Sequence, residues 1–527
     1  MATYSILIRG GMIFRDKKLE RADIGIKDDK IQRIGDLSRD RGVLEIDATG
    51  RYVSPGFVDL TSHSDTHWTL FNYPSQESFL AQGITTILGG SCGASLAPLV
   101  KGEDIEGIEK WADVREININ WAGLAEFFEE LSRHPLGVNF ATLVGHGTLR
   151  RSVLGDEARA ATHAETDQMR LLLERSLREG AFGLSTNLGA SHGRPAAEDE
   201  LAELFSIVRA YGGLTKHHLK DEGKNILPAL VELIQLARES RTKIHFSHFK
   251  ILGRSAWHLF HDVLGVFESA REDGLALTLD FFPYTRTGSQ LYLLLPPWAL
   301  EGGKDRILAY LGEAARREEI KAYLKSLTLH YERITIASTL EDRAAIGKTI
   351  GDLSSSSGLS PEEVLLKLLE TNQLKVSIFN EVISQEHLSE LAKKGYAMLA
   401  SDGVGYTKEI RLPFDLPHPR SYGAFPRALE IFSKETNIVS WPELLYKMTE
   451  FPAEVLGLKE RGKLAEGFFA DIAVFDPEAI RSTADYDNPY LFPVGIEWVL
   501  VNGKVAVERG VFSGKLAGKI LKKTWSP

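Results

Sequence analysis

The 527 residues include a single cysteine, Cys92, so no intramolecular disulfide can form, and a reducing cytoplasm is the simplest expected address. No run of about eighteen apolar residues occurs, which excludes an ordinary membrane-spanning helix. The first residues, MATYSILIRGG, lack the charged segment and apolar core of a secretory leader. Positive charge is also scarce: the formal net value is −10 and no Lys/Arg-rich run appears, so neither nucleic acid nor a membrane is an expected partner. A Gly-x-Gly-x-x-Gly turn is missing after the first central strand, which argues against an open dinucleotide-binding sheet.

What is present is an ordinary globular composition, 43% hydrophobic and 25% charged, in a chain long enough for one large domain and smaller ones. Residues 1–53 and 455–527 read as short alternating strands and are expected to form one composite β domain. Between them helical stripes alternate with strands. Met169, Leu172, Leu173 and Leu177 precede AFGLST; Leu201, Leu204, Phe205 and Val208 precede LTKHH. Leu230, Leu233 and Ile234 precede KIHFSHFK; Leu259, Val263, Val266 and Phe267 precede LALTLDFFPY. The strand ends at Ser185, His218, His248 and Asp280 are 33, 30 and 32 residues apart, the length of one helix, one strand and two short loops. GFVDL, GITTILGG, NFATLVGH and YAMLASD bring the strands to eight. The spacing thus predicts an α/β fold, a (β/α)8 TIM barrel over 54–454, with an inserted subdomain at 286–350 after strand seven.

Barrel enzymes carry chemistry at the C-terminal strand ends, and there the chain places His63, Cys92, His146, His218, His248, Asp280 and Asp402. Cys, His and Asp are the ligand types of a catalytic zinc, so the barrel is expected to be metal-dependent. The pleat puts His248 and Lys250 on one face with Ile244 and Phe246, and His218 with Lys220. His217 and His245 then fall on the opposite faces, as packing or supporting groups. His63 and His67 have helical metal-pair spacing, but a strand end is the wrong setting for it.

The segments PGFVDLTSHSD, SCGASLAP, LVGHGTLRRSVLG, HLKDEG, SHFKILG, DFFPYTRTGS, ASDG and HPRSYGAFPR resemble the N-acyl-D-amino-acid deacylases (D-aminoacylases) of the amidohydrolase superfamily, in order, over most of the chain. The resemblance implies a metal-binding barrel with a small β-sandwich built from both termini and an insertion after strand seven. It implies one tightly bound zinc on Cys92, His218 and His248, and a weaker second position on a strand-one His-x-His pair and Asp402. Here Thr61 replaces the first histidine of that pair. A neutral hydroxyl is a poor substitute for imidazole, so a single-metal site is expected.

On such a site Asp402 is expected to act as general base and then acid, with His63 orienting the water or Asp402 and His146 supporting the site. Lys250, Tyr284 and Arg420 would bind the carboxylate of an N-acylated amino acid, and Asp221 would order the loop after strand five. Asp65 is also a motif residue. Two departures fall on the pocket wall: Ala190 stands at a position where relatives carry tyrosine, and the loop between Asp402 and HPR is long. Arg194 or Arg286 would favour an acidic side chain. Two other readings share the residues. A cyclic-amide hydrolase of hydantoinase or dihydroorotase type would want a strand-four lysine, which AFGLST lacks. A catalytically silent scaffold or regulatory protein would explain Thr61 but not the retention of the other groups.

Overall fold

The computed structural model describes residues 3–524 apart from 110, 111, 113, 115, 116, 156, 191, 301, 302, 328 and 411–414. Both chain ends build one nine-stranded sheet, which forms the β-sandwich domain. The N-terminal strand Thr3–Arg15 is its hinge. Its first half pairs with Arg41–Asp47 and its second half with Tyr52–Pro55, so one hydrogen-bonded network turns over on itself. The change of partner falls at a bulge between Ile8 and Gly11. Gly10 has φ 69, and a Cβ on Gly11 would lie 2.5 Å from Val53, so two glycines permit the bend. Tyr52–Pro55 also pairs with Ile472–Phe475, which binds the two ends of the sequence together. Ile6, Ile24, Val53, Ile472 and Leu500 fill the core between them.

Eight parallel strands form the barrel: β1 (Phe57–Asp59), β2 (Ile84–Gly89), β3 (Asn139–Thr142, resumed at Val144–Gly145), β4 (Gly183–Asn187), β5 (Leu214–His218), β6 (Ile244–Phe246), β7 (Leu277–Phe281) and β8 (Ala397–Leu399). Ring closure comes from a parallel bridge between Ser62 and Gly403, beyond the ends of β1 and β8. Helices lie between successive strands, and most of each expected apolar stripe is buried, with Leu172, Leu259 and Val266 at its half-buried edge. Met169, Leu173 and Leu177 are fully buried, as are Leu204, Phe205, Leu230 and Phe267. Among the described residues, no helix is long and apolar enough to cross a membrane.

After β7 the chain leaves the barrel. Arg286–Gln290, Ile334–Thr339 and Val376–Glu381 pair antiparallel, and the helices between them close a separate core of Leu291, Leu311, Ile320, Leu365 and Ile378. The inserted unit therefore continues past residue 350. Its later helix, Pro361–Thr371, has the same apolar period as a barrel helix, so its sequence gives no boundary at that point.

Candidate metal centre

Cys92, His248 and Asp402 stand beyond the ends of β2, β6 and β8, and all three have positive φ, at 53°, 36° and 49°. Left-handed backbone is costly for residues with a Cβ and persists only where the surroundings impose it. At Cys92 the cause is a tight turn. Gly90 N donates to Asp65 Oδ2 at 2.6 Å, and a Cβ on Gly90 would lie 2.1 Å from the Leu143 carbonyl oxygen. At His248 the backbone N–H is held by Asp280 Oδ1.

This geometry corrects the alternation expected along KIHFSHFK. Phe246 packs on Phe267 outside the barrel, whereas His245 points inward, bonded to Asp280 Oδ2 at 2.8 Å. His248 reaches the mouth because its left-handed turn breaks the pleat. Along β5 the alternation holds for the histidines: His217 faces Phe205 and the Thr186 hydroxyl, and His218 faces the mouth. Lys220 does not accompany it; that side chain is exposed and meets Glu232 at 3.3 Å.

Cys92, His218 and His248 bring one ligand atom each within 4.8 Å of one another, and form the one such group among the described residues. Sγ of Cys92 lies 3.2 Å from Nε2 of His248, and the two imidazoles meet edge to face with centroids 4.5 Å apart. Zinc bonds of about 2.0–2.3 Å in a tetrahedron separate donor atoms by roughly 3.3–3.8 Å, so the trio needs little adjustment to share an ion. Burial by itself would raise the Cys92 thiol. The charge of His248 and the adjacent His218, His248 and His63 rings outweigh it and hold the thiol well below its ordinary range. Nδ1 of His218 is buried with no hydrogen-bond partner among the described residues. A thiol inclined to ionise beside an unpartnered imidazole nitrogen suits a zinc ion.

Asp402 lies alongside. His63 Nε2 is 3.0 Å from Oδ1, and Arg420 Nη1 is 2.6 Å from Oδ2. Burial would raise this carboxyl, but Arg420, His248 and His63 keep it well below the usual carboxylate range. Burial likewise opposes the charging of His63, yet Asp402 and Cys92 push it up to about 9.

Glu222 was not legible in HLKDEG. Its neighbour Asp221, the residue expected to order this loop, caps it through Gly223 N and Asn225 N. Glu222 turns inward instead, 2.6 Å from Lys250 Nζ, 3.3 Å from His248 Nδ1 and 3.7 Å from His218 Nε2. The one available signal was its spacing of four from His218. Lys250 is also 3.0 Å from His248 Nδ1, which makes it a neighbour of the cluster.

The remaining expected residues lie further out. Tyr284 is buried under Arg427, its hydroxyl 3.3 Å from the Pro419 carbonyl oxygen, so it braces the turn before Arg420. His146 is fully buried, 2.7 Å from Glu200, which also pairs with Arg150. The ring of His67 stands 6.4 Å from that of His63. Thr61 Oγ1 donates to Asp280 Oδ2 at 2.5 Å, below the mouth. Ala190 sits in a turn capped by Asn187, and Arg194 bonds the Gly189 carbonyl there. Arg286 lies over Tyr486, 3.6 Å from Glu381. Part of the loop after Asp402, residues 411–414, falls outside the described residues.

Comparison with known proteins agrees with this architecture. The amidohydrolase family model matches residues 44–324 and 413–507. A D-aminoacylase of Alcaligenes xylosoxydans xylosoxydans is 29% identical over 99% of this chain and 98% of its own. An N-acyl-D-aspartate deacylase of the same organism is 30% identical over 94% and 89%. The crystal structure of N-acyl-D-glutamate deacylase from Bordetella bronchiseptica, complexed with zinc and a phosphonate mimic of the tetrahedral intermediate, superposes with a TM-score of 0.84 at 27% identity, covering 99% of this chain and 100% of that one. The chain belongs to the amidohydrolase family, in its D-aminoacylase and N-acyl-D-amino-acid deacylase branch.

Proposed function

We propose that this protein is a zinc-dependent deacylase that hydrolyses the linear amide of N-acyl-D-amino acids to a carboxylate and a free D-amino acid. The observation that carries the reading is the convergence of Cys92, His218 and His248 within 4.8 Å, in a chain similar over nearly its whole length to a D-aminoacylase and an N-acyl-D-aspartate deacylase. Zinc held by these three would supply a Lewis acid for the amide carbonyl and acidify water.

The chain's own groups do the rest. Asp402 is ionised and fixed from both sides, His63 on one oxygen and Arg420 on the other. It takes a proton from the attacking water and returns it to the departing nitrogen, so the amine leaves neutral and the carboxylate is regenerated. Arg420 and Lys250 are the cations available to the substrate's carboxylate; the guanidinium offers a planar fork, the ammonium a point charge. Glu222 holds Lys250 and both histidines in register. A catalytically silent scaffold has no use for a base held between an imidazole and a guanidinium.

A panel of N-acyl D- and L-amino acids, assayed with protein of measured zinc content, tests the reading. Turnover of D substrates with about one zinc per chain is expected. Zinc-loaded, folded protein that turns over no member of the panel would overturn it.

A further inference from the structure

His418 opens the HPR segment, and neither the metal centre nor the proposed reaction uses it. Its imidazole is buried where three parts of the molecule meet. Tyr284 after β7, Phe379 on the third strand of the inserted unit and Tyr486 of the C-terminal segment each set a ring nearly perpendicular to it, with centroids 5.3 Å away. Edge-to-face packing on three sides fixes the plane of the imidazole.

Both ring nitrogens are engaged, and on different units. Nδ1 accepts from the Arg420 backbone N–H at 3.1 Å. That N–H is the first of the helix Arg420–Ala428, and Pro419 at the cap position offers no side-chain acceptor for it. Nε2 lies 3.0 Å from the carbonyl oxygen of Arg286, on the first strand of the inserted unit, and donates to it. A ring that accepts at Nδ1 and donates at Nε2 is neutral. Burial and the neighbouring Arg420 charge hold this imidazole well below its ordinary range, in keeping with that state. The same strand also passes the guanidinium. A Cβ on Gly288 would lie 3.4 Å from His418 Cδ2 and 3.6 Å from Arg420 Nη2. Arg420 itself lies over the Phe282 ring and pairs with Asp402.

We propose that His418 is a positioning residue for Arg420, a strut that joins the inserted unit to the guanidinium receiving the substrate's carboxylate. The inference rests on the proposed deacylase reading, in which Arg420 has that task. A short polar side chain can satisfy a helix N–H by itself. What the imidazole adds is its second nitrogen, which reaches a carbonyl of another unit. An arginine side chain loses much rotamer freedom when it is ordered, so its fork serves a carboxylate well only where its backbone and its flank are already fixed. His418 holds the backbone at residue 420, and through the Arg286 carbonyl it keeps Gly288 against the flank of the guanidinium.

Steady-state kinetics on a double-mutant cycle tests this, with N-acetyl-D-amino acids as substrates and zinc content measured for every protein. His418→Phe keeps a flat ring and loses both bonds; His418→Gln carries an amide towards Arg286 and leaves the Arg420 N–H without its acceptor. Each should raise KM about 5- to 10-fold, the worth of a lost hydrogen bond, with kcat within about twofold of wild type. In an Arg420→Met background the same changes should alter KM by less than about twofold, because the group they position is gone. An equal rise in both backgrounds, or an unchanged KM in both single variants, would overturn the proposal. So would a loss of zinc or of cooperative melting in both single variants, since the imidazole would then serve the metal centre or the fold. Zinc-loaded wild type that hydrolyses no N-acyl amino acid would overturn the deacylase reading itself, and this role of His418 with it.

Discussion

Arg420 Nη1 stands 2.6 Å from Asp402 Oδ2, so the cation proposed to receive the substrate's carboxylate rests, without substrate, on the proposed general base. One guanidinium thereby has two tasks: it keeps the base ionised, and it recognises the substrate.

Replacing Arg420 by Met should therefore alter two kinetic quantities. KM should rise by about 10- to 100-fold, the worth of a charge-assisted hydrogen bond. The acid limb of the kcat/KM profile should move as well. In the wild type Asp402 is held well below the ordinary carboxylate range, so activity is lost only as pH falls through that lowered value. Without the guanidinium the carboxyl protonates more readily, and the limb shifts to higher pH. A raised KM with an unmoved acid limb would separate the two tasks.

Asp402→Asn should keep the zinc and lose the reaction. The ligand trio lies on other strands, so metal content should remain near one per chain, while kcat falls by about 10²- to 10⁴-fold for loss of the general base. Metal analysis and kcat measured on the same preparation check this.

Much of this was legible from the sequence. β2 is a short, mostly apolar run bounded by Gly83 and Gly89, and its burial on both faces is what a barrel strand requires. His217 and His218 separate by alternation because β5 is regular as far as residue 218. The alternation fails at His248, where a left-handed residue follows a three-residue strand, and the enrichment of histidine at positive φ is too weak a preference to mark one position among fifteen histidines. Glu222 escaped for a related reason, since its direction depends on how the loop after β5 folds rather than on any period.

The zinc site should also be visible in stability. A ligand that binds only the native state raises its melting temperature by mass action. Stripping wild type with a strong chelator should lower Tm, and added zinc should restore it. Cys92→Ala should melt near the stripped wild type and respond to neither treatment. Thermal denaturation of the two proteins with and without chelator is the measurement.

His146 is better tested through its partner. Glu200 is buried between His146 and Arg150, and Arg150 is itself among the largest fully buried side chains. Arg150→Met would leave that carboxylate short of a cation and should cost about 3–5 kcal/mol, whereas Arg150→Met with Glu200→Gln should recover a good part of the loss. Denaturant midpoints of the two variants decide between them. If His146 supports the metal ligands, the single variant should lower activity in proportion to its zinc content.

Asp59 offers a pH dependence of known sign. It is fully buried on β1, and its carboxylate oxygens accept from Thr61 N, Ser401 N and Ser401 Oγ. Burial dominates these bonds, and the negative charge of Asp280 adds to it, so the folded pKa is pushed up to about 7. The unfolded chain loses this proton near 4, so the stability contributed by the protonated carboxyl is full below that value and is lost as pH rises from about 4 through 7. At 1.36 kcal/mol per unit the loss is on the order of 4 kcal/mol. Asp59→Asn keeps a carbonyl oxygen for the two backbone donors and an amide for the Ser401 hydroxyl, without the titration. The variant should melt higher than wild type at pH 8, and the difference should shrink steadily towards pH 4. A difference that stays constant across this range would show that packing, rather than the proton, governs the effect.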